Sequence, residues 1–173
     1  MELRTERLVL RPVTEDDLDV MLAIRNAPQV IATTDTGEEL PRERMAGQLQ
    51  RRAASWRDRG LGSWLILLEG RPAGFVEVAP TGEGSGVDPD EIEIGVVVHP
   101  DHWGQGFAGE AGMAVAADCF KRVGLERVYA GVDPANDKSM RVLAKAPGVT
   151  QIDEELYELT AATFASLPAS SVG

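Results

Sequence analysis

The sequence predicts one mixed α/β domain. Strand-like apolar runs and helix-period stretches follow one another in the order β-α-α-β-β-β-α-β-α-β. The 173 residues suit one hydrophobic core, and no internal repeat or linker divides them. With 43% hydrophobic and 26% charged residues, the composition is that of a globular chain rather than a disordered one.

Leu8-Val9-Leu10-Arg11 reads as the first strand, followed by Pro12. Thr14-Glu15-Asp16-Asp17 resembles a capping box, and Leu18, Met21 and Leu22 have the i, i+3, i+4 spacing of a helix face. Pro28 and the stretch from Thr33 to Gly37 break that helix. Pro41 suits the first turn of a second helix, whose buried stripe is Met45, Leu49, Ala53 and Trp56 and whose end is Gly60.

Trp64-Leu65-Ile66-Leu67-Leu68 is a short apolar run bounded by turn residues, hence a buried strand. The turn Glu69-Gly70-Arg71-Pro72 leads to a partner strand, Gly74 to Val78. Thr81 to Pro89 contains three glycines and reads as a loop. A strand from Glu91 to Val98 begins with strict alternation. An alanine-rich helix runs from about Gly106 to Val123, and Arg127 to Val132 is a strand. Asn136 to Lys145 is a helix with Met140, Leu143 and Ala144 as its apolar face. Leu156 to Leu159 is the last strand. The domain is expected to occupy residues 1–165, with a disordered tail over 166–173.

Several function classes are disfavoured. A net charge of −11 repels phosphate backbones, so no nucleic-acid partner is expected. The same charge attracts cations such as amines, or serves solubility alone. No apolar run reaches the roughly 18 residues that span a bilayer, and Met1 to Arg7 has no signal-peptide core. Cys119 is the lone cysteine and reads as a small buried residue. Together these features favour the cytoplasm; a monomer or homodimer is expected.

The strongest chemical signal lies between Val96 and Ala111. A strand runs into the turn Trp103-Gly104-Gln105-Gly106-Phe107-Ala108-Gly109 and then a helix. Such a turn exposes successive backbone N–H groups beside a positive helix N-terminus, which cradles phosphate without basic side chains. It is not a dinucleotide fingerprint, because it does not follow the first strand of a βαβ unit. It is not a P-loop, because no Gly-Lys-Ser/Thr follows. His99 and His102 flank the turn without a companion cysteine or carboxylate arrangement, so no metal is expected and both read as rim residues.

Trp103-Gly104-Gln105-Gly106-Phe107-Ala108-x-Glu110-Ala111 resembles the acetyl-CoA pyrophosphate loop of the GNAT superfamily. Trp103 stands where the general pattern has Gln or Arg, a departure typical of the branch resembling the ribosomal-protein N-acetyltransferases. Thr5-Glu6-Arg7-Leu8-Val9-Leu10-Arg11-Pro12, Glu93-Ile94-Gly95 and Asn136-Asp137-Lys138-Ser139 resemble three further stretches of that branch, in order. The resemblance runs from about residue 3 to 160.

It implies a mixed, mostly antiparallel sheet flanked by helices, with a V-shaped splay between two parallel strands. It also implies acetyl-CoA as cosubstrate and direct transfer to an amine acceptor, a protein N-terminus or a small molecule. The implied cofactor-binding residues are Val96, Val97, Val98, Trp103, Gly104, Gln105, Gly106, Phe107, Ala108, Gly109, Asn136 and Ser139. Ser139 is implied as the acid that protonates the departing thiolate. Direct attack needs a neutral amine and therefore a base. Alternation puts Glu91 and Glu93 on one strand face with Gly95 and Val97. They are the candidate bases, or else a solvated face or arginine partners.

One stretch departs from the family. After Lys145 the chain reads Ala146-Pro147-Gly148-Val149 instead of Leu-Gly-Phe, and the last hairpin is shortened. That hairpin commonly walls the acceptor site, so acceptor specificity does not carry over from the family. An acyl-CoA-binding module without turnover is the alternative reading.

Overall fold

The computed structural model describes residues 1–34, 36–82 and 85–168. Its strands are β1 (Leu3–Arg4), β2 (Leu8–Pro12), β3 (Trp64–Leu68), β4 (Arg71–Pro80), β5 (Ile92–Val98), β6 (Arg127–Gly131), β7 (Thr150–Gln151) and β8 (Leu156–Thr160). Its helices are α1 (Leu18–Arg25), α2 (Pro28–Ile31), α3 (Arg42–Arg59), α4 (Phe107–Asp118), α5 (Asp137–Lys145) and α6 (Ala161–Ser166). The strands form one sheet in the order β1-β2-β3-β4-β5-β6-β8-β7. Every neighbouring pair is antiparallel except β5–β6. The mixed, mostly antiparallel sheet of the expectation is therefore present.

Strand alternation sorts the core into two layers. Leu10, Trp64, Ile66, Val76 and Ile94 share one cluster with Ala111, Val115 and Cys119 of the α4 segment and Phe164 of α6. Leu65 and Phe75 share the other with Met21 and Ile24 of α1 and Met45 and Leu49 of α3. Trp56 and Trp64 meet edge to face, their ring centroids 4.8 Å apart.

Thr14 and Asp17 form the expected capping box. The Asp17 carboxylate accepts the Thr14 N–H at 2.8 Å and two bonds from Arg11 at 2.6 and 2.9 Å. Burial pushes the Asp17 carboxyl up, but its bonds from Arg11 and Thr14 outweigh this and hold it below the usual carboxylate range. A depressed carboxylate stabilises the fold above its ordinary pKa and loses that contribution as pH falls.

Several local expectations are corrected. α1 does end ahead of Pro28, at Arg25, but Pro28 also opens a further short helix, occupying the first turn of α2, where its missing N–H costs nothing. Residues Cys119–Val123 continue α4 as a wider π turn, closed by the Leu125 N–H on the Cys119 carbonyl at 3.1 Å. Ala144 is exposed, so the half-buried face of α5 is Met140 and Leu143 without it. The short strands β1 and β7 and helix α6 were not anticipated. The Thr160 side chain caps α6 by accepting the Thr163 N–H at 3.1 Å. Of the expected tail, residues 169–173 lie outside the described residues. Among the described residues no helix is long and apolar enough to cross a membrane.

Candidate functional site

β4 follows β5 from Pro80↔Ile92 to Gly74↔Val98. The parallel pair β5–β6 registers only at Glu93↔Tyr129. Beyond Glu93 the two parallel strands therefore part. The His99 N–H donates to the Ala73 carbonyl at 2.8 Å. Backbone groups alternate sides along a strand, so Gly95 and Val97 also turn theirs to β4, and Val96 and Val98 turn theirs into the gap. Val97 differs from the other two valines: its backbone faces the ladder, and its side chain packs on the α1–α3 cluster. The Val98 carbonyl accepts the Trp103 indole N–H at 2.7 Å.

Gly74 sets the position of this wall. A Cβ there would lie 2.4 Å from the Val97 carbonyl oxygen and 3.0 Å from the Val98 Cα. Gly74→Ala is expected to displace β5 along the gap, at the roughly 1–3 kcal/mol typical of overpacking. Thermal unfolding and cofactor calorimetry should show lower stability and weaker binding together. Wild-type values for both would show that this strand spacing is not needed.

The glycine turn stands at the mouth of the gap. Pro100–His102 form a 3₁₀ turn capped by His99, whose Nδ1 accepts the Asp101 N–H at 3.3 Å. The chain passes through Gly104 (φ 76°) and Gly106 (φ 83°), both in the left-handed region that favours glycine. The first bond into α4 runs from the Glu110 N–H to the Gly106 carbonyl at 3.1 Å. The N–H groups of Gly104, Gln105, Gly106, Phe107, Ala108 and Gly109 have no hydrogen-bond partner among the described residues. They gather at the positive end of the α4 dipole, an arrangement that suits an anion. The Phe107 ring is buried in the core, so only its backbone is available there.

Helix α5 flanks the turn. The Lys138 Nζ lies 4.0 Å from the Trp103 ring centroid. Asn136 caps α5, its Oδ1 accepting the Ser139 N–H at 3.2 Å. The Asn136 side-chain NH₂ and the Ser139 hydroxyl have no partner among the described residues. A cavity of about 240 Å³ opens beside this helix start, lined by Thr33, Thr34, Asp133, Asn136, Asp137 and Lys138. A larger groove of about 550 Å³ runs between residues 12–16 and α3 and contains none of the expected site residues.

Glu93 stands where the strands part. Its Oε1 accepts the Gly131 N–H at 3.1 Å. Burial pushes its carboxyl up, the Gly131 bond pulls it down, and Glu77 pushes it up again; the net direction is upward. Glu77 pairs with Gly95 across the ladder and is held by Arg52 of α3. Glu91 is corrected in placement. It precedes β5, in a turn where its N–H donates to the Asp88 carbonyl at 3.0 Å, so the strand begins at Ile92.

Burial pushes the Cys119 thiol up to about 12, which keeps it protonated and poorly nucleophilic. His99 and His102 are half-exposed at the rim of the turn. The described residues contain no group of three or more His, Cys, Asp or Glu able to hold a metal ion. Sequence reasoning missed Glu77 and Gly131, whose place beside Glu93 depends on strand register, and Arg52, whose place depends on how α3 packs on the sheet. Thr5, Arg7 and Glu110 lie in the motif stretches, and no local pattern there shows that they meet.

The comparisons with known proteins agree on an acetyltransferase. The acetyltransferase (GNAT) domain matches residues 7–147, and the chain belongs to that family. The uncharacterized N-acetyltransferase YoaA of Bacillus subtilis is 29% identical over 148 residues, 83% of this chain and 80% of that protein. A solved acetyltransferase from Agrobacterium tumefaciens is 26% identical with a TM-score of 0.72, over 91% of this chain and 93% of the other. The structure of AAC(6')-Ib in complex with ribostamycin and coenzyme A has a TM-score of 0.76 over 95% and 99% of the two chains. At 17% identity this last likeness is one of fold alone.

Proposed function

We propose that the chain transfers an acetyl group from acetyl-CoA to a primary amine, by direct attack with both substrates bound. The observation that carries this reading is the row of unpartnered amides from Gly104 to Gly109 at the mouth of the β5–β6 gap. Acetyl-CoA supplies an activated thioester and a pyrophosphate that such a row suits. The Val96 N–H and C=O and the Val98 N–H face the gap and serve pantetheine, together with the Asn136 amide. Trp103 steadies the loop against Val98 and α5.

A strand N–H directed into the gap, that of Val96 or Val98, polarises the thioester carbonyl as negative charge grows on its oxygen. Glu93 takes the amine proton, and its raised affinity for protons brings it nearer to working pH. Glu91 is the second acidic group on the approach to β5. The N–C bond forms as the C–S bond breaks, and the Ser139 hydroxyl gives a proton to the departing thiolate.

Within the family we place the chain beside the ribosomal-protein N-acetyltransferase branch, on its four motif stretches, and in the cytoplasm as a monomer or homodimer. The acceptor is a protein N-terminal α-amine or a small-molecule amine. Asp133 and Asp137 beside the cavity, with a net charge of −11, favour cationic acceptors. The second reading, a binding module without turnover, rests on the short final hairpin, in which β7 has only two residues.

Free-thiol release from acetyl-CoA across a panel of peptides, polyamines and aminoglycosides tests both readings. Release is expected with basic acceptors. It should weaken as salt rises, because the Debye length is about 10 Å at 0.1 M. Binding without release selects the module, and no binding refutes both.

A further inference from the structure

A single ion pair stands behind the cofactor loop. Glu110 lies in the first turn of α4, and its side chain is only 6% exposed. Its Oε1 accepts the Thr5 hydroxyl at 2.5 Å and the Arg7 N–H at 3.0 Å. Its Oε2 accepts the Arg7 Nε at 2.7 Å, with Nη2 at 2.5 Å. The Arg7 Nη1 donates to the Gln105 carbonyl at 2.8 Å. The guanidinium carbon lies 4.5 Å from the Phe107 ring centroid. One arginine from the segment before β2 therefore touches residues 105, 107 and 110.

We propose that Thr5, Arg7 and Glu110 form a clamp that positions the pyrophosphate loop, with Arg7 as its positioning residue. The inference rests on reading Gly104 to Gly109 as the pyrophosphate site.

Two physical arguments support it. In a trans peptide the C=O of one residue and the N–H of the next point in opposite directions. Arg7 draws the Gln105 carbonyl inward, so the Gly106 N–H faces outward, where an anion can meet it. The second argument is charge. A carboxylate in the first turn of α4 opposes a second anion at the same helix end. Arg7 neutralises it in place, so the amide row keeps its net positive potential.

Arg7→Ala and Arg7→Lys, with thermal unfolding as a control, test the clamp. Ligands are acetyl-CoA and acetyl-pantetheine, which lacks the pyrophosphate and nucleotide. In Arg7→Ala the acetyl-CoA Kd should rise about 10- to 100-fold, taking as a guide the loss when partners that orient metal ligands are removed. The acetyl-pantetheine Kd should not change. Without any ligand, the Gly106 amide should exchange hydrogen with solvent at an altered rate in Arg7→Ala, because its orientation is released.

Arg7→Lys restores charge but not the fork that bonds Glu110 and Gln105 together. It should recover part of the affinity at low salt and stay weaker than wild type at high salt. This variant carries the test if the alanine variant does not fold. Wild-type acetyl-CoA affinity in a folded variant, or equal weakening of both ligands, overturns the clamp. Failure of the wild-type protein to bind acetyl-CoA instead overturns the pyrophosphate reading, and is seen before any substitution is made.

Discussion

Gly106→Glu is expected to abolish acetyl-CoA binding in a protein that still folds. Gly106 has φ 83°, and a non-glycine residue in the left-handed region costs about 1–2 kcal/mol. Its Cβ would lie 3.4 Å from the Arg7 Nη2, so the new carboxylate competes with Glu110 for the clamp. It also places negative charge at the head of the amide row, where pyrophosphate is to bind. Gly106→Ala carries the backbone cost without the charge, and the difference between the two variants isolates the electrostatic part. Unchanged calorimetric affinity in folded Gly106→Glu would end the assignment of this loop.

Glu93→Gln is expected to lower kcat/KM by about 10²- to 10⁴-fold, the usual worth of general-base help. The loss should be greatest at mildly acidic to neutral pH, where the amine is protonated, and should shrink as pH rises. Stability should move the other way. The Glu93 carboxyl is raised in the fold, chiefly by burial. Its contribution to stability is present below its ordinary pKa and lost as pH rises through the raised value. At neutral pH the charged side chain therefore opposes folding, so Glu93→Gln should raise Tm there and leave it unchanged in acid. A variant that is stabilised yet slow separates a proton role from structural damage. A wild-type pH–rate profile would transfer that role to Glu91 or to a water chain.

The legible parts of the fold were those written in local pattern. Thr14 and Asp17 form their capping box because the two positions are three residues apart on one turn. The alternating strand up to Val98 was read correctly but for its first residue: β5 begins at Ile92, and Glu91 ends the Asp88 turn, its carbonyl accepting the Thr81 N–H at 2.8 Å. α6 had a signal, Thr160 ahead of a short alanine-rich stretch. β1 and β7 had none, because two residues are too few to show alternation.

Local pattern was enough for the order of the longer elements, the glycine turn after a strand, and an acidic group on that strand. These depend on backbone preferences and side-chain periods that act over a few residues. Which backbone groups face the gap is a matter of tertiary pairing: the bond from His99 to Ala73 sets the alternation that turns Val97 to the ladder and Val96 to the gap. Tertiary structure also decided that Glu77 and the Gly131 N–H act on Glu93, and that Arg7 reaches Glu110 across 103 residues of chain. Register and burial arise when distant segments pack together, and no local period encodes them.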